Sequence, residues 1–181
     1  MFRVSVSRVA VVVVLFLLSV TTVLAGSSGT TSATTTDTSS HGDPAASALA
    51  AARDLADARP GTDAIGRDLI AELGYTPKLE RSLAAKETGD CSSPVPLPRS
   101  FEPACRVHDL GYDLLRVAHR HHTPIPDGLR ADLDDLLGRQ MLRSCDGRSA
   151  CMVMARIAHA AVRVNTVRQG HGAPVEEALP W

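Results

Sequence analysis

The sequence predicts an all-α fold, a small disulfide-stapled helical bundle, from three observations. From Ala45 onward apolar residues recur at three- and four-residue spacing, with no strand-like alternation of any length. Proline and glycine punctuate the chain between these periodic stretches. Four cysteines, an even number, follow an N-terminal segment with the form of a secretory leader, so they read as disulfides rather than a zinc site.

The leader comes first. Residues 1–25 carry Arg3 and Arg8, a Val/Leu-rich stretch from Val9 to Val20, and Val23-Leu24-Ala25 as a cleavage site, so the expected location is extracellular. Residues 26–44 are rich in Ser, Thr and Gly without apolar periodicity, which predicts a disordered linker. Residues 45–181 are then one domain with a single core. Within it, residues 45–58 form an Ala-rich helix ending at Arg59-Pro60-Gly61. Ile65, Leu69 and Leu73 mark a second helix over 62–73, stopped by Gly74, and residues 77–86 a third, short one.

Three longer helices follow. Over 101–119, Leu110, Leu114 and Val117 form one apolar face, while His108, Tyr112 and Leu115 form another flanked by Cys105, so His108 is expected to point into a cleft between helices. The helix over 127–142 buries Leu129, Leu133, Leu136, Leu137 and Met141. The helix over 151–169 is expected to bury Val153, Ile157, Ala161, Val164 and Val167, with Gly170 as its stop. Pro124 and Pro126 force the turn between the first two and make them antiparallel neighbours.

Charge narrows the function classes. With 19 Lys and Arg against 20 Asp and Glu the formal net charge is −1, and loss of Arg3 and Arg8 with the leader tips it further toward acid. That balance argues against a nucleic-acid binder. There is no Gly-x-Ser-x-Gly elbow and no His-Glu-x-x-His zinc signature. The cluster His119, His121 and His122 suits a solvated helix end.

The most informative stretch is Cys105-Arg-Val-His108-Asp109-Leu-Gly111-Tyr112, with Asp90-Cys91 upstream. An adjacent His-Asp pair one helical turn beyond a cysteine can supply a general base and a hard-cation ligand. With Cys91-Ser-Ser-Pro and Phe101-Glu-Pro-Ala-Cys105 before it, the stretch resembles the small secreted phospholipases A2 of bacteria and fungi over roughly residues 89–151. Here Val107 stands where many members have Arg, and Gly89 where the acidic ligand can sit two positions before the cysteine.

The resemblance implies a Ca²⁺-dependent hydrolase acting on the sn-2 ester of glycerophospholipids at a membrane or micelle surface, as a monomer. It implies His108 as general base, and it favours Cys91–Cys105 and Cys145–Cys151 as the bridges. The first bridge would bring Asp90 near Asp109, one turn from Cys105, and two carboxylates there call for a cation such as Ca²⁺. A carboxylate on the following helix should orient the imidazole. Asp132 and Asp134 flank its buried stripe and Asp135 lies opposite; the family spacing of Asp, Met and Cys favours Asp134, which lines up with Met141 and Cys145. Tyr112 is expected to border the substrate. The alternative from another class is a catalytically weak secreted lipid-binding or effector module on the same scaffold.

Overall fold

A computed structural model of the chain describes residues 43–175. The expected leader and nearly all of the expected linker lie outside these residues. Pro44 already belongs to the first helix, α1 (Pro44–Ala56), so the linker expected to reach residue 44 stops short of it. Pro44 has the fixed φ that suits a helix start, and the Asp43 carboxylate accepts the Ala45 N–H at 3.0 Å as a cap. The buried face of α1 comprises Ala45, Ala48, Leu49, Ala51, Ala52 and Leu55. Its small side chains let the helix lie close across its neighbours.

Helix α2 (Arg67–Leu73) is shorter than expected and ends at Gly74, whose φ of +76° supplies the left-handed turn that stops it. The next element corrects the all-α expectation. Residues 77–86 form a hairpin rather than a short helix: β1 (Lys78–Glu80) pairs antiparallel with β2 (Leu83–Ala85), in the register Lys78 to Ala85 and Glu80 to Leu83. Arg81 and Ser82 turn the corner with φ of +48° and +74°. A strand of three residues is too short to display a period of two, and the turn lacks the Gly or Asn that would have marked it. Tertiary bonds stabilise the hairpin: the Ala84 N–H donates to Pro60 O at 2.8 Å and the Lys86 N–H to Arg106 O at 3.0 Å. All of β2 is buried.

A single 3-10 turn (Arg99–Phe101) leads into α3 (Glu102–Arg120), which has Glu102 and Pro103 in its first turn and His119 and Arg120 in its last, charges placed to suit the helix dipole. Helix α4 (Leu129–Arg143) and helix α5 (Ser149–Arg168) complete the described chain. Ser100 meets Ser144, His108 meets Asp134 and Tyr112 meets Arg130, so α3 and α4 run antiparallel. Cys91–Cys105 ties the loop before α3 to that helix, and Cys145–Cys151 staples α4 to α5. The fold is a small, mostly helical domain with two disulfides and one hairpin. Among the described residues no helix is long and apolar enough to cross a membrane.

Two buried clusters hold the helices. One joins α1, β2, α3 and α4 through residues such as Leu55, Leu110, Leu114 and Leu133; the other surrounds the disulfides with Phe101, Leu137, Met141 and Ala155. The expectation for α5 is reversed. Its buried residues are Cys151, Ala155 and Thr166, whereas Val153, Ile157, Val164 and Val167 are 51%, 55%, 66% and 61% exposed, and Ala161 is exposed as well. Apolar residues surround almost the whole helix, so their spacing left its rotation undetermined. The bridge to Cys145 turns the Cys151 side inward instead.

Close approach of α3 and α4 depends on Gly111, where a Cβ would come within 2.9 Å of Leu133 Cδ2. Gly111→Ala should therefore wedge the two helices apart and destabilise the domain by about 1–3 kcal/mol. Thermal unfolding of the purified variant checks this, with an unchanged melting temperature as the contrary result.

Candidate active site

A cleft of about 530 Å³ opens between α3, α5, the loop before α3 and the segment after α5, with Leu137 and Met141 of α4 at its base. His108, Asp109 and Tyr112 all face it from α3. Successive turns of one helix place His108 and Tyr112 together, and their ring centroids lie 4.0 Å apart. His108 is buried apart from 8% of its surface.

Behind the imidazole stands Asp134 on α4, fully buried, with Oδ1 2.9 Å from His108 Nε2. The Tyr112 hydroxyl donates to the same oxygen at 2.7 Å, and the Thr166 hydroxyl on α5 donates to Oδ2 at 2.6 Å. Burial alone would raise the Asp134 pKa, but hydrogen bonds from His108, Thr166 and Tyr112 outweigh it and hold the carboxyl below its ordinary range. An ionised carboxylate only accepts, so Nε2 carries the proton of neutral His108. Nδ1 is then left with a lone pair and has no protein partner among the described residues. Burial, with the Asp134 charge second, pushes the Tyr112 phenol up to about 12, so it remains a donor.

Asp109 follows His108 on the cleft wall. Burial raises its pKa, opposed by the neighbouring imidazole and by the Asp90 N–H, which donates to Asp109 Oδ2 at 3.1 Å. The bridge brings the loop over Asp109 as expected, but presents the backbone N–H of Asp90 rather than its carboxylate. Asp90 Oδ1 is exposed and accepts from the Ser92 hydroxyl at 3.3 Å. An N–H beside the carboxylate is attractive where a second carboxylate would repel. The space beside Asp109 stays open because residue 89 is glycine, whose Cβ would sit 2.6 Å from Oδ2. Among the described residues no three His, Cys, Asp or Glu side chains gather as a metal-binding group. Asp109 Oδ2 and the Lys86 carbonyl oxygen flank the open position at Gly89, so the donors there are hard oxygens, the kind that Ca²⁺ takes, rather than the nitrogen and sulfur of a zinc site.

Of the three candidate acids on α4, Asp134 alone meets the imidazole. Asp132 is exposed, and Asp135 takes His159 Nε2 at 2.8 Å and Arg163 Nε at 3.8 Å. Thr166 and Arg130 escaped the sequence reading. Arg130, 1% exposed, donates from Nε to the Tyr112 hydroxyl at 3.4 Å, from one amine to Gly172 O at 3.0 Å and from the other to Gln169 Oε1 at 2.9 Å. It thereby fastens the segment after α5 beside the cleft, where Pro174 O also accepts from Arg116 Nε at 3.0 Å. Arg130 precedes Asp134 by one turn of α4, which was a usable signal; Thr166, from a helix of unknown rotation, had none. Further along the wall, Tyr75, Lys86 and Arg116 all bond the Asp113 carboxylate, at 2.8, 3.0 and 2.7 Å.

Comparison with protein-family models, with curated proteins and with solved structures finds no match.

The two carboxylates should behave oppositely. A depressed Asp134 pKa contributes stability above its unfolded value, lost as pH falls through the lower folded value. Asp134→Asn should therefore cost about 1–3 kcal/mol at neutral pH, leaving buried donors poorly matched. A raised Asp109 pKa means its ionisation opposes folding once pH passes the unfolded value, with the full cost above the folded one. Asp109→Asn should raise the melting temperature at neutral pH in chelator. Calorimetry of both variants tests the pair; a fall for Asp109→Asn would contradict the assignment.

Proposed function

We propose that the protein is a secreted, Ca²⁺-dependent phospholipase A2-like hydrolase that releases the sn-2 fatty acid of a glycerophospholipid. The observation that carries the reading is the His108–Asp134 pair at 2.9 Å beside the cleft, with Asp109 next along the same wall. Two disulfides accord with an oxidising compartment outside the cell. In this reading the cleft holds the substrate as a monomer of the enzyme works at a membrane or micelle surface.

His108 Nδ1 takes a proton from water as the water oxygen adds to the ester carbonyl carbon. Asp134, already ionised, holds the ring so that Nδ1 faces the cleft and offsets the positive charge the imidazole gains. The tetrahedral carbon then expels the glycerol oxygen, and His108 returns the proton to it, leaving a fatty acid and a lysophospholipid. Tyr112 and Thr166 keep the carboxylate in place; Tyr112 borders the substrate with its ring while its hydroxyl is turned inward. Asp109 and carbonyl oxygens of the loop before Cys91 would hold Ca²⁺, with Asp90 a second carboxylate at the cleft mouth. The cation, when bound, polarises the ester carbonyl and stabilises negative charge on its oxygen.

Fatty-acid release from mixed phospholipid vesicles, measured with Ca²⁺ and with chelator, tests the reading. His108→Ala should lower turnover by roughly a hundredfold or more with the helical circular dichroism retained. Asp134→Asn should reduce turnover while sparing Ca²⁺ affinity, and Asp109→Asn should lose both. A folded wild-type protein that binds lipid but releases no fatty acid with Ca²⁺ would favour the binding module instead.

A further inference from the structure

Helix α5 presents a surface that the interior does not use. Taking 100° per residue, Val153, Ile157 and Val164 fall within one narrow sector of the helix, with Ala160 and Ala161 on its margins. Each of the three is more than half exposed. The sector adjoins the row formed by Ala158, Ala161 and Asn165, which lines the cleft. Ala161 belongs to both, so the exposed apolar strip runs without a break from the outside of the helix to the cleft wall. The segment after α5 adds to the same mouth, where Val175, 62% exposed, lines the cleft.

Charge on the helix selects the occupant. Residues 149–168 include Arg156, Arg163 and Arg168 and no Asp or Glu. Asp135 of α4 draws Arg163 and His159 toward the body of the domain, while Arg156 and Arg168 are exposed beside the apolar sector, Arg168 donating to Asn165 Oδ1 at 2.6 Å. A second copy packed symmetrically on this face would oppose arginines to arginines. A layer of anionic headgroups over an apolar interior offers the complement to both features at once: contacts for the cations and cover for the valines and isoleucine.

We infer that the α5 strip of Val153, Ile157 and Val164, flanked by Arg156 and Arg168, is the face that docks on an anionic phospholipid surface and brings the cleft mouth against it. The inference rests on the proposed hydrolase for its purpose, but docking is separable from chemistry.

The test uses vesicles of ether-linked phosphatidylglycerol and ether-linked phosphatidylcholine, which lack the scissile ester, with co-sedimentation as the readout. A second measurement follows hydrolysis of a short-chain phospholipid below its micelle concentration. Wild-type protein should bind the phosphatidylglycerol vesicles more tightly. The double variant Ile157→Asp, Val164→Asp should bind them roughly a hundredfold less tightly, since two apolar contacts are replaced by charges of the wrong sign. Arg156→Glu should remove the preference for the anionic lipid. Both variants should retain wild-type hydrolysis of the dispersed short-chain lipid, where no surface is needed. Vesicle binding by the double variant equal to wild type would overturn the proposal, as would a wild-type protein that ignores vesicles and elutes as a dimer dissociated by the double variant. Binding that follows the expected pattern without any hydrolysis of the short-chain lipid would uphold the surface while removing the hydrolase reading.

Discussion

A buried carboxylate joins three helices of this domain. Asp134 extends from α4 and receives hydrogen bonds from His108 and Tyr112 on α3 and from Thr166 on α5. An ionised carboxylate cannot be withdrawn from water unless donors replace its hydration, so each of these bonds is a condition for burying the group. The requirement also works in reverse. Because the donors come from separate helices, satisfying Asp134 sets the spacing and rotation of α3, α4 and α5 together. The glycine at 111 permits the approach of α3 to α4 that this demands.

The covalent links act at the edges of that arrangement. Cys91–Cys105 draws a loop over the first turns of α3, so a backbone N–H and the open space at Gly89 both fall beside Asp109. Cys145–Cys151 turns α5 so that Thr166 reaches the carboxylate while Val153, Ile157, Val164 and Val167 face outward. An apolar surface left exposed by such a constraint must be tolerated or used, and α5 borders the mouth of the cleft. Arg130 extends the polar layer outward, from the Tyr112 hydroxyl to Gln169 and Gly172, and fixes the far rim of the cleft to the same hydrogen-bonded centre.

Chemically the site combines two carboxylates with opposite environments, Asp109 on the cleft wall and Asp134 behind the imidazole. Asp134 is surrounded by donors and stays charged without a cation; Asp109 has a single backbone donor and is disfavoured as an anion by burial. A group in the second condition gains most from a bound cation. The proposed division of labour, one acid to hold the imidazole and one to hold Ca²⁺, follows from that asymmetry.

The sequence by itself determined the long helices and much of the site. Helical spacing placed His108, Asp109 and Tyr112 on neighbouring turns, a local relation along one helix, whereas Asp134 was favoured over Asp132 by its alignment with Met141 and Cys145 together with the family resemblance. Three things were decided only in the folded chain. The hairpin at 78–85 is tied by bonds that Ala84 and the adjoining Lys86 donate to the Pro60 and Arg106 carbonyls, which no local pattern records. The rotation of α5 was illegible because its apolar residues surround the axis, so a disulfide and one threonine hydroxyl chose the buried side. The exposed position of the Asp90 carboxylate was set by backbone geometry, since an N–H lies favourably beside Asp109 where a second negative charge would not. Residues that act along one helix can be read from spacing, whereas contacts between segments depend on which of several compatible packings satisfies the buried polar groups.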